Sequence, residues 1–243
     1  MAYWVRWLGQ GGFELSDGRS AMLLDPYLSD LVEKVEGLKR LVPPPILPRD
    51  AHPGLYLITH EHIDHLDADT IAAMPKAGVT FAAPGGCRAK LLELGVGEKS
   101  IIRLDRGMRT AFKGFEIEAV YARHTADSIG LVIRQGGTVA YFSGDTELDD
   151  EVGRGIVCDA LFVCINGRWG NMGIEDALKL SLRVQAKLSF PNHYGMFAEN
   201  TTDPEPFVHR LQALGKNGYI MKHAQNIDLA ELKRSAENAS SNL

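Results

Sequence analysis

Short apolar runs, each ending in a cluster of glycine, histidine, aspartate or asparagine, set the pattern of this chain. Residues 3–8 alternate large side chains and read as a strand. Gly9-Gln10-Gly11-Gly12 turns that strand into a second at 13–16, and the Asp17-Gly18 hairpin signal leads to a third at 20–24. The resulting antiparallel meander stops at Asp25-Pro26-Tyr27. Asp25 reads either as a turn residue or as an acceptor that fixes a nearby histidine tautomer. A short helix over 30–41 and the extended Pro43-Pro44-Pro45-Ile46-Leu47-Pro48 then make a long connection, either a cover over a site or a packed excursion.

Helix and strand alternate further on. The spacing predicts a helix over 68–74 behind an Asp67 N-cap, a strand at 79–82, and a helix from Pro84-Gly85-Gly86 through Leu94. Strands follow at 101–104, 109–112 and 115–121, then a hairpin of 130–134 with 138–142, then strands at 160–165, 186–190 and 219–222. Amphipathic helices are expected at 174–184 and 205–214, and the end of the polar tail beyond Leu232 is expected to fray.

The candidate chemistry centres on Thr59-His60-Glu61-His62-Ile63-Asp64-His65-Leu66-Asp67, directly after the apolar run 55–58. Alternate residues of an extended segment point the same way, so His60 and His62 can face one metal ion. Asp64 and His65 follow where the chain turns and face a second point. Nitrogen and carboxylate donors of this kind suit zinc, manganese or iron. Such a loop supplies only half of each site, so further ligands must come from distant strand ends. His124, Asp145 and His193 each stand just past an apolar strand and meet that demand. His52 reads as a surface residue, and His209 and His223 as structural.

Composition narrows the class. With 243 residues, 45% hydrophobic, 23% charged and a formal net charge of −5, the chain suits one large domain or two small ones. Scattered Lys and Arg argue against a nucleic-acid partner. Cys87, Cys158 and Cys164 lack CxxC spacing and read as reduced, buried thiols. Residues 1–10 lack the basic leader and apolar core of a signal peptide, and no apolar run approaches the ~20 residues that span a bilayer. A cytoplasmic protein with no membrane partner is expected.

The set His60-x-His62-x-Asp64-His65, His124, Asp145 and His193 resembles the metallo-β-lactamase superfamily, over the whole chain and in the right order. The runs Leu24-Asp25-Pro26-Tyr27, Ser143-Gly144-Asp145-Thr146, Asn166-Gly167-Arg168-Trp169-Gly170-Asn171-Met172-Gly173 and Pro191-Asn192-His193-Tyr194 are similar to those of the L-ascorbate-6-phosphate lactonase group. This resemblance implies a single domain, residues 1–243, of the α/β (α+β) class: a four-layer αβ/βα sandwich with a dinuclear site at one edge. It assigns His60, His62 and His124 to one ion and Asp64, His65 and His193 to the other, with Asp145 as the bridge. The two divalent ions would be manganese or zinc, or iron, and manganese goes with the lactonase group.

The implied reaction is metal-dependent hydrolysis, in which two cations lower the pKa of a shared water from ~15.7 toward neutrality so that hydroxide attacks an ester or lactone carbonyl. Asp64 is the expected catalytic residue, taking the nucleophile's proton. Asn166, Arg168 and Tyr194 are candidates for contact with a small anionic substrate, a phosphorylated sugar-acid lactone, because a planar guanidinium such as that of Arg168 suits phosphate or carboxylate. Loop packing is the other reading of Asn166 and Arg168, and Trp169 reads as core. Two alternatives stand beside the lactonase: a phosphodiesterase on a small anionic substrate, and a non-catalytic metal-binding protein. A homo-oligomer is left open.

Overall fold

Val5, Trp7, Phe13 and Leu15 alternate with more polar neighbours, and all four turn to one side and bury there, which is why the opening of the chain pairs as strands. The structure, a computed structural model, describes residues 3–240. Its first six strands are β1 (Trp4–Gly9), β2 (Gly12–Ser16), β3 (Ala21–Leu24), β4 (Leu55–Leu57), β5 (Thr80–Ala83) and β6 (Ile101–Arg103). The next seven are β7 (Arg109–Phe112), β8 (Phe115–Tyr121), β9 (Ile129–Gln135), β10 (Thr138–Phe142), β11 (Ala160–Cys164), β12 (Leu188–Asn192) and β13 (Asn217–Gly218). A last strand, β14 (Asn226–Asp228), returns to pair with β1.

Two mixed seven-stranded sheets result, ordered β14-β1-β2-β3-β4-β5-β6 and β13-β12-β11-β10-β9-β8-β7. Each combines an antiparallel part with a parallel part, β3 to β6 in the first and β10 to β13 in the second. The sheets face each other across one apolar layer. Its centre is a stack of Phe142, Phe162 and Phe190, with ring centroids 4.4 and 4.7 Å apart, capped edge-on by Phe13 from the opposite sheet. Removing one such buried ring costs about 3–5 kcal/mol.

Six α-helices among the described residues complete the layers: α1 (Leu31–Glu36), α2 (Ala68–Ala73), α3 (Arg88–Glu93), α4 (Ile174–Arg183), α5 (Glu205–Ala213) and α6 (Leu229–Ser240). Ile71 and Leu91 pack α2 and α3 on Tyr56 and Phe81 of the first sheet. Leu178, Leu180, Phe207 and Leu211 pack α4 and α5 on Leu161 and Val163 of the second. The architecture is the expected αβ/βα sandwich. No helix among the described residues is long and apolar enough to cross a membrane.

Two local expectations change. The helix expected over 30–41 is only α1, stopped by Gly37 in the left-handed conformation, φ 76°. The strand expected at 219–222 does not form, because β12 has already paired with the two-residue β13 and the edge beside β1 goes to the polar segment Asn226–Asp228. The polar tail beyond Leu232 is part of α6, held by Leu232 against the inter-sheet core and by Lys233 on Asp159 at 3.0 Å. Residues 241–243, where the end expected to fray falls, and 1–2 lie outside the described residues.

The connection 28–53 is packed rather than loose. Asp67 accepts from the backbone N–H groups of Leu28 and Ser29, and Leu41 N–H donates to the Met196 carbonyl at 2.7 Å. Val32 buries beside Tyr27, Met196 and Phe197.

Candidate metal centre

The alternation of strand directions brings the carboxyl ends of β1, β3, β4, β8, β10, β11 and β12 to one edge of the sandwich. Every one of the seven ligand candidates lies in a loop leaving that edge. Four residues there, Gln10 (φ 51°), Asp25 (φ 42°), Trp169 (φ 53°) and His193 (φ 61°), hold the left-handed backbone that side chains disfavour. Their backbones are fixed by neighbouring loops: Asp25 N–H donates to the Leu57 carbonyl at 3.0 Å, and His193 N–H to the Gln10 carbonyl at 3.1 Å.

His60, His62 and His124 form one triangle. His62 Nδ1 lies 3.1 Å from His60 Nε2 and 3.0 Å from His124 Nε2. The other ring nitrogen of each partner is committed. His124 Nδ1–H donates to the Gly170 carbonyl at 3.0 Å. His60 Nδ1–H donates to Thr59 Oγ1 at 3.0 Å, whose own hydroxyl donates to Asp25 Oδ2 at 2.5 Å. Three lone pairs therefore converge on one point. Gly170 makes this approach available: its φ is 83°, and a Cβ there would stand 2.9 Å from His124 Nδ1.

Asp64, His65 and His193 form the second group, joined by Asp145. His65 Nδ1–H donates to Asp25 Oδ2 at 2.8 Å, leaving a buried Nε2 without a hydrogen-bond partner. That nitrogen faces Asp145 Oδ1 at 3.3 Å and Asp64 Oδ2 at 3.6 Å. His193 Nε2 faces the same two oxygens at 3.1 and 3.6 Å. The other Asp145 oxygen, Oδ2, accepts from Asn171 Nδ2 at 2.8 Å and lies 3.8 Å from His124 Nε2, so one carboxylate reaches both groups.

These residues fit a pair of cations. Imidazole nitrogens 3.0–3.1 Å apart can share one coordination shell, falling between the octahedral (about 2.9 Å) and tetrahedral (about 3.4 Å) edges expected for metal–nitrogen bonds of ~2.0–2.1 Å. In the second group, nitrogen lone pairs face carboxylate lone pairs, an arrangement that needs positive charge between them. Protons supply it when no cation is present. Burial pulls the His65 value down, but Asp145, Asp64 and Asp25 outweigh it and raise it well above the usual histidine range. The same contest lifts His193 to about 9. Burial raises Asp64 and Asp145, but His65 and His193 overcome it and hold both carboxyls below the usual range. His60 behaves oppositely: burial, then His65, keep it well below its ordinary value.

The centre opens on a cavity of about 510 Å³ whose floor is His62, Asp64, His124, Asp145 and His193. Val32, Leu38, Ile63, Phe197 and Trp169 wall it, with Glu36, Glu61, Asn171 and Asn200 completing the lining. A larger open groove of about 670 Å³ over β8 and β9 contains none of the seven ligand candidates.

The structure thus brings together His60, His62, Asp64, His65, His124, Asp145 and His193. It does not bring the three expected substrate contacts to the cavity wall. Tyr194 packs on Trp7 and donates its hydroxyl to the Met221 carbonyl at 3.2 Å. Arg168 donates to the Glu199 carbonyl at 3.0 Å, and buried Asn166 donates to Asn200 Oδ1 at 2.7 Å. Trp169, expected in the core, is instead 59% exposed and lines the cavity. Two polar residues escaped the sequence reading. Gln10 donates to Asp64 Oδ2 at 2.9 Å, and Asn171 fixes Asp145. Glycines let the first turn approach this site closely: a Cβ at Gly11 would meet His65 Cε1 at 2.7 Å and one at Gly12 the Asp25 carbonyl oxygen at 3.0 Å.

Residues 21–194 match the family model described as Beta-lactamase superfamily domain. A UPF0173 metal-dependent hydrolase of Symbiobacterium thermophilum is 29% identical over 230 residues, covering 87% of this chain and 92% of its own. Among solved structures, Igni18, a metallo hydrolase from the archaeon Ignicoccus hospitalis, aligns with a TM-score of 0.73 at 22% identity, over 93% of this chain and 98% of its own. CmlA, a diiron β-hydroxylase from Streptomyces venezuelae, aligns with a TM-score of 0.73 at 14% identity, over 93% of this chain and 54% of its own. These last two likenesses establish the fold, which hosts more than one chemistry.

Proposed function

The chain belongs to the Beta-lactamase superfamily domain family, as a metal-dependent hydrolase, and from that premise we propose that the bond it cleaves is a carboxylic ester or lactone. The carrying observation is the pair of donor groups joined by Asp145 at the floor of one cavity. His60, His62 and His124 would hold one cation, and Asp64, His65 and His193 the other, with Asp145 between them. A donor set of nitrogen and oxygen without sulfur suits manganese, iron or zinc. Bound there, the cations would supply Lewis acidity, lowering the pKa of a water toward neutrality and polarising the carbonyl oxygen.

The chain's own residues set the geometry. Asp25 and the Gly170 carbonyl hold His65 and His124 in single tautomers, and Thr59 relays the same constraint to His60. Asn171 keeps Asp145 turned between the two groups. Asp64, steadied by the Gln10 amide and lining the cavity, is placed to accept the nucleophile's proton and return it to the leaving alkoxide. A sugar-acid lactone carries the right bond for this chemistry, though the apolar walls give its hydroxyl groups few partners. Its phosphorylated form has less support, since no Lys or Arg lines the cavity. Three free, buried cysteines support a cytoplasmic location.

The test is an assay of metal-loaded protein on neutral lactones and esters and on bis-p-nitrophenyl phosphate. Carbonyl turnover that disappears on chelation and returns with metal is the expected result. Turnover of the phosphodiester alone would replace the carbonyl with phosphorus, and two bound metals without turnover of either would leave a binding protein.

A further inference from the structure

The cavity above the metal ligands is apolar on its walls and acidic at its edges, and no Lys or Arg among the described residues lines it. Val32 and Phe197 are buried, and Leu38 and Ile63 are half-buried. Trp169 spreads a largely exposed indole over the same space. That indole is held out at a cost: Trp169 has a left-handed backbone (φ 53°) between Gly167 and Gly170, both also at positive φ. Strain of this kind, about 1–3 kcal/mol, persists where surrounding structure imposes it and clusters at functional sites.

The polar lining offers little to a sugar or an anion. Asn171 and Asn200 already carry hydrogen bonds to Asp145 and Asn166. Glu36 and Glu61 are exposed and acidic, and Arg168, the cation nearest Trp169 in sequence, is turned to the Glu199 carbonyl. The cations would sit at the floor, so the repulsion from Glu36 and Glu61 acts on the far end of an arm, where a negative group would lie beside these exposed carboxylates.

We propose that the substrate is an uncharged ester or lactone with an apolar arm, which lies along Val32, Leu38, Ile63, Phe197 and Trp169, while Glu36 and Glu61 turn away arms that end in negative charge. This rests on the hydrolase reading above and adds the substrate class to it. Trp169 and Glu36 are then specificity-determining residues.

The test has two readouts. The first is kcat/KM of metal-loaded protein on p-nitrophenyl esters from acetate to octanoate, and on the p-nitrophenyl monoester of suberic acid, which has the octanoate length with a terminal carboxylate. Activity is expected to rise about threefold per added methylene until the cavity is filled, and octanoate is expected to exceed suberate by about tenfold. Trp169→Ala is expected to cost octanoate about tenfold more than acetate, and Glu36→Lys to narrow the octanoate-to-suberate ratio roughly threefold.

The second readout is binding of octanamide, a neutral probe without an ester, followed by tryptophan fluorescence in wild type and Trp169→Ala. A saturable signal that the variant lacks supports the proposal even where no ester is turned over, an outcome that counts against the hydrolase reading alone. Retained hydrolysis with no dependence on chain length, or with suberate preferred, overturns the proposal and leaves the hydrolase reading standing. Neither binding nor turnover overturns both.

Discussion

The two halves of the centre are built from the same kinds of side chain yet hold protons in opposite ways. In the His60, His62 and His124 half, burial keeps His60 and His124 below the ordinary histidine value, so their outward lone pairs are free at neutral pH. In the other half, burial is outweighed by Asp25, Asp64 and Asp145 around His65, and by Asp145 and Asp64 around His193, so both rings carry protons in the metal-free protein. A cation meets empty donors on one side and must displace protons on the other. Charge balance, rather than ligand count, distinguishes the two halves.

Deleting a donor should break this contrast most sharply. His62→Ala and His193→Ala are each expected to lose one bound metal and at least a hundredfold in hydrolysis, read by metal analysis beside kcat/KM. Retention of both metals with full activity in either variant would remove that residue from the ligand set. Asp25→Asn comes next, because Asp25 faces His65 directly and His60 through Thr59. A loss of about 10–100-fold in metal affinity is expected, larger in the second half. A titration that matches wild type would reduce Asp25 to a turn residue.

The metal-free protein sharpens the contrast through pH. His60 and His124 have folded values below 6.5, so the unfolded chain binds more protons there and stability is lost as pH falls through that value. His65 and His193 have raised values, so their contribution is complete below about 6.5 and is lost as pH climbs toward the folded value of His193, about 9. Thermal unfolding of chelated protein should therefore peak near pH 6.5 and decline on both sides. Bound metal should flatten the alkaline side. A melting temperature that rises steadily from pH 6.5 to 9 without metal would contradict the assignment of charge.

The smallest expected effect is at Arg168. Its guanidinium is engaged by the Glu199 carbonyl outside the cavity, so Arg168→Ala should change KM for a neutral ester by less than about twofold. A larger rise would return Arg168 to the substrate list.

What the sequence revealed divides along the same physical line. Strand ends carrying His60, His62, His124, Asp145 and His193 are legible because apolar runs and polar ligands are both local patterns. The layers follow from the alternation of those runs with amphipathic helices. Residues that act on ligands from behind are not legible. Gln10 and Asn171 reach Asp64 and Asp145 across 54 and 26 positions of chain, and neither carries a local signature. Tyr194 and Arg168 looked like substrate contacts by neighbourhood, but the backbone turns their polar atoms to Met221 and Glu199. Trp169 faces the cavity from a left-handed backbone, which hydrophobicity alone does not convey. At the sheet edge, the apolar run at 219–222 lost to the polar Asn226–Asp228, because edge pairing with β1 depends on chain return rather than on strand propensity.

Anomalous diffraction from metal-loaded crystals tests the central claim most directly. Two peaks about 3.5–4 Å apart are predicted, one among His60, His62 and His124 and one among Asp64, His65 and His193, with Asp145 between them. A single peak outside both groups, or none in protein that hydrolyses its substrate, would contradict the account.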